Sequence, residues 1–256
     1  MFALNQQNIE AFENHALLNY IDELVEHCHE FAHNLAVALG EKRLKTALQF
    51  GVSKADAQGF NQRGTTRFYI DMMILFGSGF DSDPQFPWAK DTLQGVADQT
   101  EKADALHVHS TKYFDEVYGK DNQHRLAAMA KLEKLTLNNF KINVKTFSLD
   151  MLTLMEEVYP QKFKATGEKL LVELIQTGIK KGQNEYGLTQ PNYIGLMVIM
   201  MFMLGHQYDA NPFHPWVSKQ AVKGQFDNEH YIARRLEDRA HTWVSAVLKN
   251  NVAKEV

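Results

Sequence analysis

The sequence has little cysteine, little proline and no long apolar run. Among its 256 residues there is one cysteine, Cys28, and there are six prolines. A single cysteine excludes an internal disulfide framework and is typical of a reducing compartment. The longest apolar run, residues 193–204, is about a dozen residues long, whereas a bilayer-spanning helix needs roughly 20. Residues 1–12 lack the basic and apolar regions of a signal peptide. We therefore expect a cytoplasmic protein without a membrane partner.

The sequence also lacks a strong excess of charge. Its 27 Lys and Arg residues and 31 Asp and Glu residues give a formal net charge of −4, and the basic residues are scattered. Such a distribution provides no electrostatic footprint for nucleic acid, so we expect no nucleic-acid partner. The hydrophobic fraction of 45 % is ordinary for a globular protein. A chain of this length can bury a core without covalent cross-links.

No segment alternates apolar and polar residues as a strand does, and apolar residues recur instead at helical spacing. The spacing predicts one helix from Asn5 to about Leu39, a second from Gly40 to before Gly59, and a third from Asn61 to about Phe80. Cys28 lies on the apolar stripe of the first helix, where a buried, inert thiol is the commoner state. The fold class predicted is all-α.

Capping residues and helix-breaking residues predict three further helices. Asp83 is placed to cap a short helix that has Pro84 at its first position. A polar helix from Gln99 to Tyr118 is closed by Gly119. A long helix is then predicted from Asp121 to Val158, before Pro160.

Residues 70–89 recur as residues 198–217. Six residues of the first segment have a like residue 128 positions later: Gly77 and Gly205, Phe80 and Tyr208, Asp81 and Asp209, Pro84 and Pro212, Pro87 and Pro215, Trp88 and Trp216. We interpret this as a tandem duplication of a unit of about five helices, with repeats at 1–120 and 121–256. The period is far longer than those of solenoid families, so two pseudo-symmetric helical bundles packed together are predicted.

The repeated motif suggests a metal site at first sight, because Asp81 and Asp83 are two residues apart. In the second copy Asp83 is replaced by Asn211, which removes a carboxylate ligand and keeps the ability to cap a helix. A structural turn is therefore favoured over a metal site. If the copies form an interface, a groove flanked by the two loops is expected. The candidate partner-binding residues are Asp81, Asp83, Trp88, Asp209, Asn211, His214 and Trp216.

The segment His29 to His33 spells HEFAH and matches the zinc-protease pattern HExxH. On a helix the two histidines share a face and can bind zinc, while Glu30 activates water. The second copy has no equivalent segment, and no third ligand stands out. A zinc metallopeptidase using His29, His33 and Glu30 is therefore the alternative function, and the leading hypothesis includes no cofactor.

The segment YIDMMILFGSGFDSDPQFPWA, with the LGE turn that precedes it, resembles a family of helical bacterial proteins that accompany type VI secretion and polymorphic-toxin gene clusters. The resemblance covers Met1 to about Tyr118 closely and the second copy more loosely. It implies an accessory role beside a toxin, as an immunity protein or as an adaptor or chaperone for effector loading. It supplies no catalytic residues. We expect a non-enzymatic cytoplasmic protein that binds a toxin or effector.

Overall fold

A computed structural model describes residues 6–223 and 228–252. Every regular element in these two ranges is helical and none is a strand, so the all-α prediction is confirmed. The α-helices are α1 (Gln6–Phe31), α2 (His33–Leu39), α3 (Glu41–Ala57), α4 (Arg63–Phe76), α5 (Pro87–Gln94), α6 (Gln99–Tyr113), α7 (Gln123–Glu133), α8 (Phe147–Val158), α9 (Pro160–Thr166), α10 (Glu168–Tyr186), α11 (Pro191–Leu204), α12 (Lys219–Lys223) and α13 (Glu229–Val252). A π-helical segment, Phe114–Tyr118, extends α6, and short 3-10 turns occupy several loops.

The chain divides into two compact units, Met1–Leu75 and Phe76–Val256. The division falls at the end of α4. The repeat boundary predicted at 120/121 lies inside the second unit. Compact units and sequence repeats are different divisions of the chain, and here they do not coincide.

The first unit is built on the apolar stripe of α1. Ile21, Leu24 and Cys28 are buried at a spacing of three and four residues, which places them on one helical face. Helices α3 and α4 approach each other at Gly51, where a Cβ would lie 2.9 Å from Cγ1 of Ile70. The absence of a side chain at this position permits close packing of the two helices.

The single helix predicted from Asn5 to Leu39 is wrong, because the chain breaks at Ala32. Ala32 has φ −139° and ψ 52°, outside the helical region, so α1 ends at Phe31 and α2 begins at His33. The break lets the short α2 contact α3 while burying Ala36 and Leu39. No glycine or proline lies at this position, so the apolar spacing continues across it and predicts one uninterrupted helix.

The second unit is centred on α11. All nine residues from Ile194 to Phe202 are buried, as expected for a helix formed by the longest apolar run of the sequence. Helix α10 packs against it at Gly178, where a Cβ would lie 2.6 Å from Cγ2 of Val198. Helices α8 and α13 also contact α11.

The long helix predicted from Asp121 to Val158 is also wrong, because a loop separates α7 from α8. Asparagine side chains supply the alternative hydrogen bonds that stop the helix. The Thr136 N–H donates to Oδ1 of Asn139 (2.8 Å), and Nδ2 of Asn139 donates to the Lys134 carbonyl (2.8 Å). The Lys145 N–H donates to Oδ1 of Asn143 (2.9 Å), which begins the next helical segment.

No single helix in the described residues combines the length and the apolar character needed to cross a bilayer. Helices α10 and α11 have the required length and apolar composition only when they are taken together, and the chain bends by 118° between them.

Candidate functional site

The two copies of the repeated motif form turns that touch within the second unit. We call residues 77–88 the first turn and residues 205–216 the second turn. A Cβ on Gly77 would lie 2.8 Å from the Leu204 carbonyl oxygen, and a Cβ on Gly205 would lie 3.1 Å from that of Phe76. Both glycines have positive φ, 99° and 96°. Their conformation and the close backbone contact both favour glycine.

Asp83 connects the two turns. Its carboxylate is 2 % exposed and accepts hydrogen bonds from the Gln85 N–H (2.9 Å) and from the His206 N–H (2.7 Å). The predicted helix with Pro84 at its first position is wrong, because residues 84 and 85 form a turn and α5 begins at Pro87. Asp83 therefore stabilises a tight turn and the end of α11 at once.

Asn211, the counterpart of Asp83, makes only the local bond. Its Oδ1 accepts from the Phe213 N–H at 3.0 Å, as Asp83 does from the residue two positions on. Its Nδ2 lies 3.1 Å from Nδ1 of His214. The exchange of Asp for Asn preserves the turn, as the sequence comparison predicts, but not the contact across the turns.

Asp81 and Asp209 are both buried. Asp81 accepts a hydrogen bond from the Ser82 hydroxyl at 3.3 Å. Asp209 forms an ion pair with Lys181 and accepts from the Tyr186 hydroxyl at 2.6 Å. Burial, with the nearby Tyr208 and Asp209, raises the pKa of the Tyr186 hydroxyl, so it remains a donor. These carboxylates face internal partners.

The two tryptophans each pack on a later helix of the same copy. Trp88 stacks on His109 of α6 with ring centroids 5.7 Å apart, and Trp216 stacks on Trp243 of α13 at the same distance. His214 lies edge-on to Trp216, and burial lowers its pKa to about 4. His214 is therefore neutral at neutral pH. These three candidates are half-buried and so are more accessible than Asp83, Asp209 and Asn211.

A buried lysine lies next to the first turn and α11, and no sequence pattern predicts it. Lys162 of α9 is 5 % exposed, and its Nζ donates to the Phe202 carbonyl oxygen at 2.5 Å. The same Nζ lies 5.5 Å from the ring centroid of Phe86 and 5.2 Å from that of Phe202. Burial lowers the pKa of Lys162 to about 8, although the charge of Asp83 acts in the opposite direction.

A cleft between α10 and the second turn has a volume of about 290 Å³. We call it the His206 cleft, and its lining residues are Thr177, Lys180, Lys181, Asn184, Glu185, His206 and Gln207. Nδ1 of His206 lies 3.3 Å from Oδ2 of Asp83. The counterpart of His206 in the first copy is Ser78, so a search for repeated residues passes over it. A wider groove of about 690 Å³ lies along α7 and α8.

The HEFAH segment does not lie on one continuous helix. His29, Glu30 and His33 are exposed, the two imidazole centroids are 6.1 Å apart, and the break at Ala32 falls between the histidines. In the described ranges no three His, Cys, Asp or Glu side chains are grouped as metal ligands. The two histidines therefore do not lie on one regular helix, and the zinc alternative stays a prediction.

Close to that segment, His27 pairs with Asp71 of α4. Nε2 of His27 lies 2.8 Å from Oδ1 of Asp71, and the Phe31 ring stacks on the imidazole at 5.5 Å. Burial raises the pKa of the neighbouring Cys28 thiol to about 12. The thiol is thus protonated and buried, as the apolar stripe predicts.

Comparison of the chain with known protein families, with characterised proteins and with solved structures finds no match. The class defined by the fold and the turns is an all-helical protein with two compact units. A helical fold of this kind supports many functions, so activity has to be inferred from individual sites.

Proposed function

We propose that this chain is a non-enzymatic protein that works by binding another protein. The resemblance of its first half to proteins of toxin gene clusters supports a toxin or effector as the partner. In that setting the chain acts as an immunity protein or as an effector adaptor. The binding element we propose is the outer part of α1.

The observation on which this depends is the exposure of residues 12–19. Every described side chain in this segment is exposed, including three large apolar ones, Phe12 (69 %), Leu18 (56 %) and Leu17 (40 %). Helices depend on tertiary packing for most of their stability, because helix propensity alone is marginal in water. Three large apolar side chains exposed within seven residues are candidates for a protein-interaction surface. A partner that covers these turns would provide the missing packing.

The charge of α1 indicates what kind of partner fits. Its sequence contains six Asp and Glu residues and neither Lys nor Arg. A complementary surface would be basic around an apolar centre, because opposite potentials accelerate encounter and select the partner. An amphipathic helix docked into a groove is a common form of such recognition.

We further propose that the two halves are a tandem duplication. Support comes from helices of like position and from glycines of like conformation. The pairs are α3 and α10, α4 and α11, Gly40 and Gly167, Gly59 and Gly187, and Gly77 and Gly205, in which every glycine has positive φ. This proposal includes the two pseudo-symmetric helical bundles that the sequence repeat predicts.

Co-purification with the toxin encoded beside this chain tests the proposed function. Phe12→Asp combined with Leu18→Asp should weaken binding at least ~10-fold, because both side chains would be desolvated in the complex. Val108→Asp on α6 is the matched control, since Val108 is also an exposed apolar residue. Equal binding by all three proteins, with unchanged helical circular dichroism, would contradict α1 as the binding element.

Co-expression then separates the two roles. Neutralised toxicity that is lost in the α1 variant identifies an immunity protein. Unaffected killing together with lost secretion identifies an adaptor. A toxin that neither binds the chain nor responds to it rejects the toxin-linked function.

A further inference from the structure

The His206 cleft collects polar hydrogen-bond donors from two elements. Thr177, Lys180, Lys181 and Asn184 occupy positions three and four apart on α10, which places them on one helical face. His206 and Gln207 of the second turn form the opposite wall. The turn is held there by the bond from the His206 N–H to the buried Asp83 carboxylate, at 2.7 Å.

One of the two lysines that line the cleft has an uncompensated charge. Lys180 is exposed, and in the described ranges no carboxylate lies within ion-pairing distance of it. The single acidic lining residue, Glu185, pairs with Lys219 at 3.3 Å. Lys181 is fixed by its ion pair with Asp209, and its ammonium has further N–H groups that can donate to a ligand.

The imidazole of His206 is oriented by Asp83. Its Nδ1 lies 3.3 Å from Oδ2 of that carboxylate and is buried without a hydrogen bond of good geometry. A carboxylate on the Nδ1 side leaves Nε2 as the nitrogen available to a ligand, which is the usual way in which an Asp orients a His. The cleft thus joins two lysines to a preoriented imidazole.

We propose that the His206 cleft binds a phosphate-class oxyanion. Ammonium and amide N–H groups match the acceptor oxygens of such an anion, as does Nε2 of His206 when both ring nitrogens carry a proton, and charge-assisted hydrogen bonds are the stronger kind. A volume of about 290 Å³ corresponds to about ten water molecules, so a phosphate group fits together with several attached atoms. This site is separate from the proposed docking surface on α1 and does not depend on the proposed function.

Isothermal titration of the full-length protein with inorganic phosphate, at constant ionic strength, tests the proposal. We expect saturable one-site binding that Lys180→Ala weakens ~10-fold, the effect of losing one charge-assisted hydrogen bond. Lys169→Ala, on the same helix but outside the cleft, makes the same charge change and should bind as the wild type does. Lys180 is exposed, so its replacement is not expected to disturb folding.

A second variant and two other anions complete the test. His206→Gln, checked by circular dichroism, should weaken binding to a similar degree. Tighter binding of phenyl phosphate than of inorganic phosphate would show that the group arrives on an organic molecule, and the reverse would indicate the free ion; either supports the site. Absence of saturable binding, an equal loss in Lys180→Ala and Lys169→Ala, or a preference for acetate would overturn it.

Discussion

At the scale of single residues, Lys162 shows how a charge is accommodated inside a helical core. Burial of an ammonium group is costly unless it is hydrogen-bonded and partly neutralised. Here the Phe202 carbonyl accepts a hydrogen bond from it, two phenylalanine rings face it, and Asp83 lies near enough to raise its pKa. The remaining cost appears as a pKa lowered to about 8.

The lowered pKa of Lys162 predicts a stability that rises with pH. Below about pH 8 the lysine is protonated in both the folded and the unfolded states, and the full cost of burial applies. Between that pH and the ordinary lysine pKa the unfolded chain binds a proton that the folded chain does not, so the free energy of unfolding increases. We expect this lysine to contribute a rise of about 1 to 2 kcal/mol between pH 7.5 and 9.5, measured by urea denaturation as the difference between the wild type and a variant that lacks it.

Lys162→Met should abolish this rise, because it removes the titrating group and keeps most of the side-chain volume. Lys164→Met is the control, since Lys164 lies on the same helix and is exposed. Burial raises the pKa values of the Cys28 thiol and of buried tyrosines, which lowers the free energy of unfolding as the pH rises, but it does so equally in the three proteins, so their comparison isolates Lys162. Parallel pH profiles for wild type and Lys162→Met would contradict the assignment.

At the scale of elements, the two turns show one sequence motif used in two ways. Both keep a glycine of positive φ, an Asp or Asn that accepts from the backbone two residues on, and a tryptophan that packs on a later helix. Only the first turn extends a carboxylate to the other turn. Comparison of the two copies identifies the residues that both turns share. Asp83 and His206 lie beside each other although their counterparts, Asn211 and Ser78, are different residues.

Gly77→Ala tests the close contact of the turns. The substitution adds a Cβ 2.8 Å from a backbone oxygen that cannot rotate away, at a φ of 99°. We expect a loss of about 2 to 4 kcal/mol in the free energy of unfolding, from strained φ together with overpacking.

Gly40→Ala is the matched control for this substitution. Gly40 also has positive φ, 71°, but no atom lies within 4 Å of its added Cβ. It should lose only about 1 to 2 kcal/mol, the cost of the left-handed conformation. Equal losses for the two variants in urea denaturation would show that the contact between the turns does not constrain Gly77.

At the scale of the whole molecule, the repeat boundary and the compact units differ. Residues on either side of position 120 are hydrogen-bonded to each other inside the second unit. Nε2 of Gln85 donates to the Met201 carbonyl (3.1 Å), and the Tyr159 hydroxyl donates to the Val117 carbonyl (2.9 Å). The second copy of the motif therefore folds together with the first copy's turn.

A fragment containing residues 121–256 should accordingly fail to fold cooperatively by itself. It lacks the first turn, α6 and the π-helical segment, leaving buried groups such as the Tyr159 hydroxyl without the carbonyl to which they donate. We expect a broad thermal transition by circular dichroism and weak protection from hydrogen exchange. Residues 76–256 keep these contacts and are the comparison. A sharp, cooperative transition for the shorter fragment would contradict the expectation.

Only those residues of the candidate site that occur in both copies could be predicted from the sequence. Asp81 and Asp209, Asp83 and Asn211, and Trp88 and Trp216 recur at a fixed spacing, and the sequence identifies them as a set. Lys162 and His206 have no like residue at the repeat spacing and match no motif. Their roles come from carbonyls and carboxylates that are distant in the chain, such as Asp83 for His206.

The sequence by itself determined the helical class, the buried character of α11 and the framework of the turns. Each follows from short-range causes: apolar periodicity, capping side chains, and glycine or proline at fixed points. The tertiary structure alone decided the break at Ala32 and the meeting of Asp83 with His206. These depend on contacts between distant segments, whose free energy exceeds local helix propensity and leaves no periodic trace in the sequence.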